Sequence, residues 1–392
     1  VQTGLSHFIH HPPAWLKKAS LGLIANPTTL TPQLEHAADV LHQHPHFRLK
    51  RLFGPEHGIR SDAQYMVDVG HALDPQTGLQ VVSLYGSTFE SLTPQPEHLA
   101  DLDALVFDIQ DVGTRYYTYA ATMALAMQAA QRKGLPFIVL DRPNPINGTE
   151  VEGGGILPHL TNFCGLYPVP QRHGMTVGEL AQLYNTAFNI GCNLHVVPCQ
   201  GWQRSMLYPH TGLPWVLPSP NMPTLETALL YPGMCLLEAT HISEGRGTTK
   251  PFELFGAPFI NPYHLKETLL AYQLPGVAFR TCSFTPTFDK YAHVLCHGLQ
   301  IHITDTHAFK PYATGLAVLH ALWGMYPKDV QWRTTPYEFR DDVPAIDLLT
   351  GFPTVRTTIE IQVDFQSVLR VAYSGADVYH AHRKTCLIYD KI

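Results

Sequence analysis

A chain of 392 residues is too long for one small module, and its 45% apolar content argues against wholesale disorder. Charged residues make up only 15%, and 26 basic against 32 acidic side chains leave a net charge of −6, so binding nucleic acid through phosphate neutralisation is set aside. The 7 cysteines are scattered without a C-x-x-C pair, which points to neither a zinc ribbon nor a dense disulfide framework.

Length favours one large or two modest domains. No stretch approaches the ~18–20 apolar residues of a membrane span. The start at Val1 rather than Met makes a missing signal peptide uninformative about compartment. Half-protonation of the 23 histidines would add about +11 and reverse the sign of the net charge.

In chain order, residues 21–25 read as a buried strand. Thr31 and Pro32 then supply an N-cap and first-turn proline for a helix through about residue 41. Further strands are expected at 49–53, 81–85, 104–109, 137–140 and 194–197. The Ala- and Met-rich segment 117–133 ends in Arg132 and Lys133 before Gly134, as a helix C-terminus should. Thr176 and Glu179 form a capping box for a helix that carries Leu180, Leu183, Tyr184 and Phe188 on one face. Continuous apolar strands alternating with helices predict a doubly wound α/β domain with a parallel sheet. The interval 54–80 lacks a convincing helix and reads as a binding loop.

Beyond about residue 225 the pattern changes to Pro-rich loops and shorter alternating segments at 299–303 and 357–363, with helices near 311–323 and 376–389. The expected organisation is a larger domain over 1–225 and a smaller α+β domain over 226–392.

Ligands of an open parallel sheet bind outside the carboxyl ends of its strands. Those ends carry Asn26, Glu56-His57-Gly58-Ile59-Arg60, Asp108-Ile109-Gln110-Asp111, Arg115-Tyr116-Tyr117 and Asp141-Arg142-Pro143-Asn144, so polar and aromatic groups converge on one rim. The first strand is not followed by G-x-G-x-x-G, no G-x-x-x-x-G-K-[ST] loop is present, and both G-x-S-x-G and H-E-x-x-H are missing. Dinucleotide, nucleotide, serine-esterase and zincin chemistry therefore lose their motifs. What remains is carboxylate chemistry among Arg, Tyr, Asn and Trp, which suits glycosidic cleavage.

Six ordered motifs span nearly the whole chain: Phe53-Gly54-Pro55-Glu56-His57-Gly58, Phe107-Asp108-Ile109-Gln110-Asp111-Val112-Gly113, Leu140-Asp141-Arg142-Pro143-Asn144-Pro145, Arg172-His173-Gly174-Met175-Thr176, Pro218-Ser219-Pro220-Asn221 and Ser243-Glu244-Gly245-Arg246-Gly247-Thr248. Together they resemble the exo-β-N-acetylmuramidase (NamZ) family. The resemblance implies a Rossmann-like N-terminal domain, a smaller C-terminal domain and an active site in the cleft between them. It further implies release of N-acetylmuramic acid from the non-reducing end of peptidoglycan fragments, with no metal or organic cofactor. By the same resemblance Glu56 is the leading catalytic residue. The His-rich surface and the loops around Cys164 and Cys199 depart from the family and bear on fine specificity.

Glu56 is expected to act as a general acid, which requires its pKa to be raised by burial or a neighbouring carboxylate. His57 orients it or binds sugar. Asp111, Asp108 and Glu244 compete for the second carboxylate, with helix capping as the plainer reading of the aspartates and pairing with Arg246 as that of Glu244. The lactyl carboxylate of muramic acid calls for a guanidinium from Arg60, Arg115, Arg142, Arg172 or Arg246, whose plainer role is internal ion pairing. Gln110, Asn144, His173 and Asn221 are further expected sugar contacts. Tyr116, Tyr117 and Trp215 offer ring faces, although aromatics near strand ends more often pack the core. His42, His44 and His46 read as a solvated loop rather than a metal site, because Pro45 interrupts them. The alternative function is a non-catalytic muropeptide-binding protein. The substrate class implies a periplasmic or secreted location, with the cytoplasm as the alternative.

Overall fold

The protein is described here by a computed structural model covering residues 1–60 and 72–389. Strands β1 (Ser20–Ala25), β2 (Arg48–Gly54), β3 (Ala72–Leu73), β4 (Gln80–Ser83), β5 (Ala104–Asp108), β6 (Phe137–Leu140) and β7 (Leu194–Val197) form one sheet in the order β3-β4-β2-β1-β5-β6-β7. Six strands run parallel, and two-residue β3 pairs antiparallel with β4 at the edge. Earlier strands lie on one side of β1 and later ones on the other, so the direction of winding reverses between β1 and β5.

Both faces of this sheet are covered at its centre, which is why β5 and β6 are buried at every position. In β5, Leu105 and Phe107 enter one core cluster with Met123 and Met127 of the helix Tyr119–Lys133. Ala104 and Val106 enter the other, with Leu5 and Phe8 of Gly4–His10 and Leu41 of Ala37–Gln43. The helix Tyr119–Lys133 stops at Gly134, which takes φ 71° and returns its N–H to the carbonyls of Ala130 and Gln131. The helix Val177–Thr186 opens on the expected Thr176–Glu179 capping box.

Two expectations are corrected. The helix foreseen from Thr31 begins only at Ala37, capped by the His36 ring. Thr31 instead closes a turn with Glu35 through Thr31 N → Glu35 O (2.9 Å) and Glu35 N → Thr31 Oγ1 (3.2 Å), with Leu34 at φ 66°. The alternation at 357–363 is not a strand, because Pro353 starts a helix, Pro353–Glu360, that buries Val355 and Ile359. Of the long interval 54–80, residues 61–71 lie outside the described residues.

The second part holds an antiparallel sheet of β8 (Leu254–Ala257), β9 (Val277–Phe284) and β10 (Cys296–Ile303) in the order β8-β10-β9. Its apolar residues continue the cluster that covers the first sheet, so one core runs through both parts. The chain end returns to the first sheet. Tyr389 donates its hydroxyl to Asp141 Oδ2 (2.5 Å) and accepts from Cys199 N (2.7 Å), and Glu179 accepts from Ile388 N (2.9 Å). No helix of the described residues is long and apolar enough to cross a membrane.

The helices Leu225–Met234 and Pro311–Met325 meet backbone to backbone at two glycines. A Cβ on Gly315 would stand 2.2 Å from the Gly233 carbonyl oxygen, an atom held in its own helix. Gly315→Ala is therefore expected to destabilise the fold by at least about 1–3 kcal/mol, read from the urea midpoint. Gly155→Ala, whose nearest neighbour would be Pro168 at 3.7 Å, should stay within about 0.5 kcal/mol of wild type.

Candidate active site

At the switch point the loops after β1, β5 and β6 are tied to one another by buried side chains. Thr28 donates its hydroxyl to Asn26 Oδ1 (2.5 Å) and accepts from Gln110 N (3.0 Å). Thr29 donates to the Asp108 carbonyl. Arg142 grips the Asp108 carboxylate with both Nε (2.5 Å) and Nη2 (2.9 Å), and Asp108 is wholly buried. Gln110 Nε2 spans to the carbonyls of Asp111 and Pro143, both at 2.7 Å. These groups brace the rim.

One strand over, at the end of β2, the chain turns sharply through Pro55 to Gly58, closed by Gly58 N → Pro55 O (3.0 Å). His57 takes φ 72°, the positive angle that a type II turn demands at its third residue. The turn aims Glu56 into a cleft of about 70 Å³. Tyr119 steadies it from below by donating its hydroxyl to the carbonyls of Pro218 (3.0 Å) and Glu56 (3.3 Å). Burial raises the Glu56 carboxyl to about 7, and the charge of Glu238 adds to the rise. The charge of Arg246 and hydrogen bonds from Tyr85 and Thr118 act against it without winning. His57 Nε2 lies 3.9 Å from Glu56 Oε1, and 16% of the Glu56 side chain remains exposed.

The facing wall comes from the second part of the chain. Arg246 pairs with Glu238 at 2.7 Å and Glu244 at 3.4 Å, its guanidinium over the Phe252 ring. Glu244 also holds Lys290 at 2.8 Å. Burial pushes Glu238 upward, but the charges of Arg246 and Lys290 and hydrogen bonds from Tyr337 and Arg246 hold it below the usual carboxylate range. Glu338 lines the same cleft, and burial followed by the charges of Glu56 and Glu238 raises it to about 8.

Of the residues singled out from the sequence, Glu56, His57, Tyr116, Tyr117, Asn221 and Arg246 line this cleft. The others make their contacts elsewhere, Gln110 and Arg142 beside a small pocket with Thr28, and Arg60 beside one with Asp39. Arg60 is clamped by Asp39 and Asp74. Arg115 spends its guanidinium on the carbonyls of Gly154, Gly155, Val169 and Leu349. Arg172 pairs with Glu152 at 3.0 Å. Asp111 accepts from Gly113 N (2.6 Å) and faces His173 Nε2 (3.1 Å), while His173 Nδ1 accepts from Met175 N (3.2 Å). Asn144 donates to the Met175 carbonyl (2.8 Å). Trp215 packs edge-on against Tyr208, and Glu244 stands behind Arg246. Among the described residues no group of three or more His, Cys, Asp or Glu is arranged to hold a metal ion.

The sequence reading passed over Thr118, Glu238, Tyr337 and Glu338. Glu238 had a signal, because it interrupts the apolar run Cys235, Leu236, Leu237 and Ala239. Buried carboxylates in such runs are paired or functional.

Comparison with known proteins agrees with this two-part arrangement. Residues 21–226 match the profile "Exo-beta-N-acetylmuramidase NamZ, N-terminal", and residues 229–389 match "Exo-beta-N-acetylmuramidase NamZ, C-terminal". The chain is 47% identical, over 99% of its length and 91% of the relative's, to "Peptidoglycan beta-N-acetylmuramidase NamZ" of Bacillus subtilis (strain 168). Two crystal structures of DUF1343 family proteins from Bacteroides fragilis NCTC 9343 are also similar. One has a TM-score of 0.90 at 34% identity over 99% of both chains. The other has a TM-score of 0.78 at 28% identity over 100% of this chain and 99% of that one. With both halves matched in order and a relative this similar along almost its whole length, the chain belongs to the exo-β-N-acetylmuramidase NamZ family.

Proposed function

We propose that the protein is an exo-acting glycoside hydrolase that releases N-acetylmuramic acid from the non-reducing end of peptidoglycan fragments, with Glu56 as general acid. The observation that carries this reading is a cleft-lining carboxyl raised to about 7, where it still holds a proton at neutral pH and can give it to a leaving oxygen. The peptidoglycan specificity follows from the similarity to the Bacillus subtilis enzyme. Exo action follows the description of the two family profiles that match the chain. Among the described residues Arg246 is the guanidinium that lines the cleft, and, although it is ion-paired with Glu238 and Glu244, it is the group we assign to the lactyl carboxylate. The substrate class puts the enzyme in the periplasm or outside the cell.

Glu56→Gln preserves shape and removes the proton donor. Its kcat/KM on an N-acetylmuramic acid glycoside with a poor leaving group is expected to fall about 100- to 10,000-fold. In the wild type the same quantity should decline as pH rises through about 7. Retention of wild-type turnover by the variant would refute the assignment. Fragments labelled at the reducing end should lose one terminal muramic acid and no internal bond.

Stability carries an independent readout. Below its unfolded value of 4.5 the Glu56 carboxyl is protonated in both states, and the buried site is undisturbed. As pH climbs through about 7 the folded protein must bury a charge, and stability is lost. Glu56→Gln is expected to unfold in urea like wild type at about pH 4 and to be more stable at about pH 9, by up to about 3 kcal/mol. Coincident midpoints at the alkaline pH would mean that the carboxyl is solvated.

A further inference from the structure

The geometry points to Glu338 as the second catalytic carboxyl group, the base that takes a proton from the attacking water while Glu56 protonates the departing oxygen. This rests on the reading of Glu56 as general acid. The other acidic side chains considered for the role are occupied: Asp108 by Arg142, Glu244 by Lys290 and Arg246, and Asp111 by Gly113 N and His173. Glu338 lines the cleft with Glu56 and, among the described residues, its carboxyl makes no hydrogen bond or ion pair.

Its backbone is held in place at a cost. Glu338 and Phe339 take φ 47° and 65°, a left-handed pair that non-glycine residues adopt only when their surroundings enforce it. The turn is closed on both sides, by Tyr337 N → Arg340 O (2.8 Å) and Arg340 N → Tyr337 O (3.0 Å). Tyr337 is pinned through its hydroxyl to Glu238 Oε2 (2.9 Å). Arg340 is pinned to Asp342 (2.6 Å) and to the carbonyls of Thr161 (2.9 Å) and His159 (3.2 Å). Phe339 stacks edge-on against Phe89 and Phe163. A strained turn anchored at both ends, with a free carboxyl at its tip beside the acid, is how an active site fixes a reacting group.

The charges facing Glu338 are those of Glu56, Glu238, Arg246 and Arg333. Because two neighbouring carboxyls resist ionising together, the pair Glu56/Glu338 titrates as a unit, and the form that reacts is the one with its single proton on Glu56 and Glu338 ionised. One member then serves as acid and the other as base. In the step itself the bond from the anomeric carbon to the glycosidic oxygen breaks, and that oxygen takes the Glu56 proton. The water oxygen bonds to the anomeric carbon and passes its proton to Glu338. Products leave as a free sugar and an alcohol, and proton exchange with solvent restores the starting pair.

The test compares Glu338→Gln, Glu338→Ala and Glu56→Gln on N-acetylmuramic acid glycosides bearing either a poor or a dinitrophenyl leaving group. Glu56→Gln should recover much of its rate on the dinitrophenyl substrate, since that group leaves without a proton. Both Glu338 variants should lose about 100- to 10,000-fold in kcat on either substrate at little-changed KM. They should also lose one limb of the pH profile, and sodium azide should restore turnover to Glu338→Ala with a glycosyl azide as product. Urea midpoints near wild type establish that the variants are folded. If both Glu338 variants keep kcat within about threefold of wild type, or if the change lies in KM alone, Glu338 is not the base. Loss of activity in Glu56→Gln alongside that result would leave the proposed function standing and remove only this inference. Full activity in Glu56→Gln would instead remove the reading beneath it.

Discussion

The cleft is governed by a shortage of positive charge. Among the described residues the carboxyls Glu56, Glu238, Glu244 and Glu338 gather around Arg246 and Lys290, which are ion-paired with Glu238 and Glu244, and Arg333 is the least of the charges acting on Glu338. Leaving a buried charge unpaired costs several kcal/mol, whereas holding a proton at pH 7 costs about 1.4 kcal/mol per unit of pKa. Glu56 and Glu338, which take no Arg or Lys partner among the described residues, therefore resolve the conflict by giving up their protons only at higher pH than an ordinary carboxyl. Carboxyls that still hold protons near neutral pH follow from that imbalance, and no feature of the glutamates themselves would supply them.

Such an imbalance survives only where water is scarce, and the two parts of the chain jointly bury the carboxyls. Glu56 arrives from the end of β2, while Glu238, Arg246 and Glu338 arrive from beyond the first sheet. Their relative placement is fixed because a single apolar cluster passes from one part into the other. Arg115 reinforces the junction, reaching from the loop after β5 to the Leu349 carbonyl (2.5 Å). Tyr116 does likewise through the Pro232 carbonyl (2.6 Å). Arg115 and Tyr116, singled out from the sequence for sugar recognition, thus also tie the walls of the cleft together.

The parallel sheet was legible because its signals are local. Apolar runs such as 137–140 and the Thr176–Glu179 box declare themselves within a few residues. Thr31-Pro32 misled for the same reason: a good N-cap pair also makes a good turn, and the Glu35 backbone decided between them. The place of Glu56 on the rim was legible from its strand-end position between turn residues, while its candidacy as catalytic residue came from the resemblance of the motif around it. Glu338 was not, since its significance depends on Tyr337 reaching Glu238 and Arg340 reaching Thr161, contacts nearly a hundred residues or more away in the chain. The several rim arginines could not be ranked from sequence. An arginine awaiting a ligand and one already gripping a carbonyl differ only in what folds against them.

The Rossmann-like order raises the question of why no dinucleotide site accompanies it. Phosphate binding at the switch point needs free backbone N–H groups and a glycine loop that lets the ligand approach. Here Thr28 N is taken by Asn26 Oδ1 (2.9 Å), Gln110 N by the Thr28 hydroxyl, and Arg142 by the buried Asp108 carboxylate. With that crevice closed by its own side chains, the nearest rim position able to present a reactive group is the end of β2. There the Pro55–Gly58 turn swings Glu56 clear of the sheet and under the second part of the chain. The fold supplies a rim, and the side chains that plug one stretch of it determine which stretch remains for chemistry.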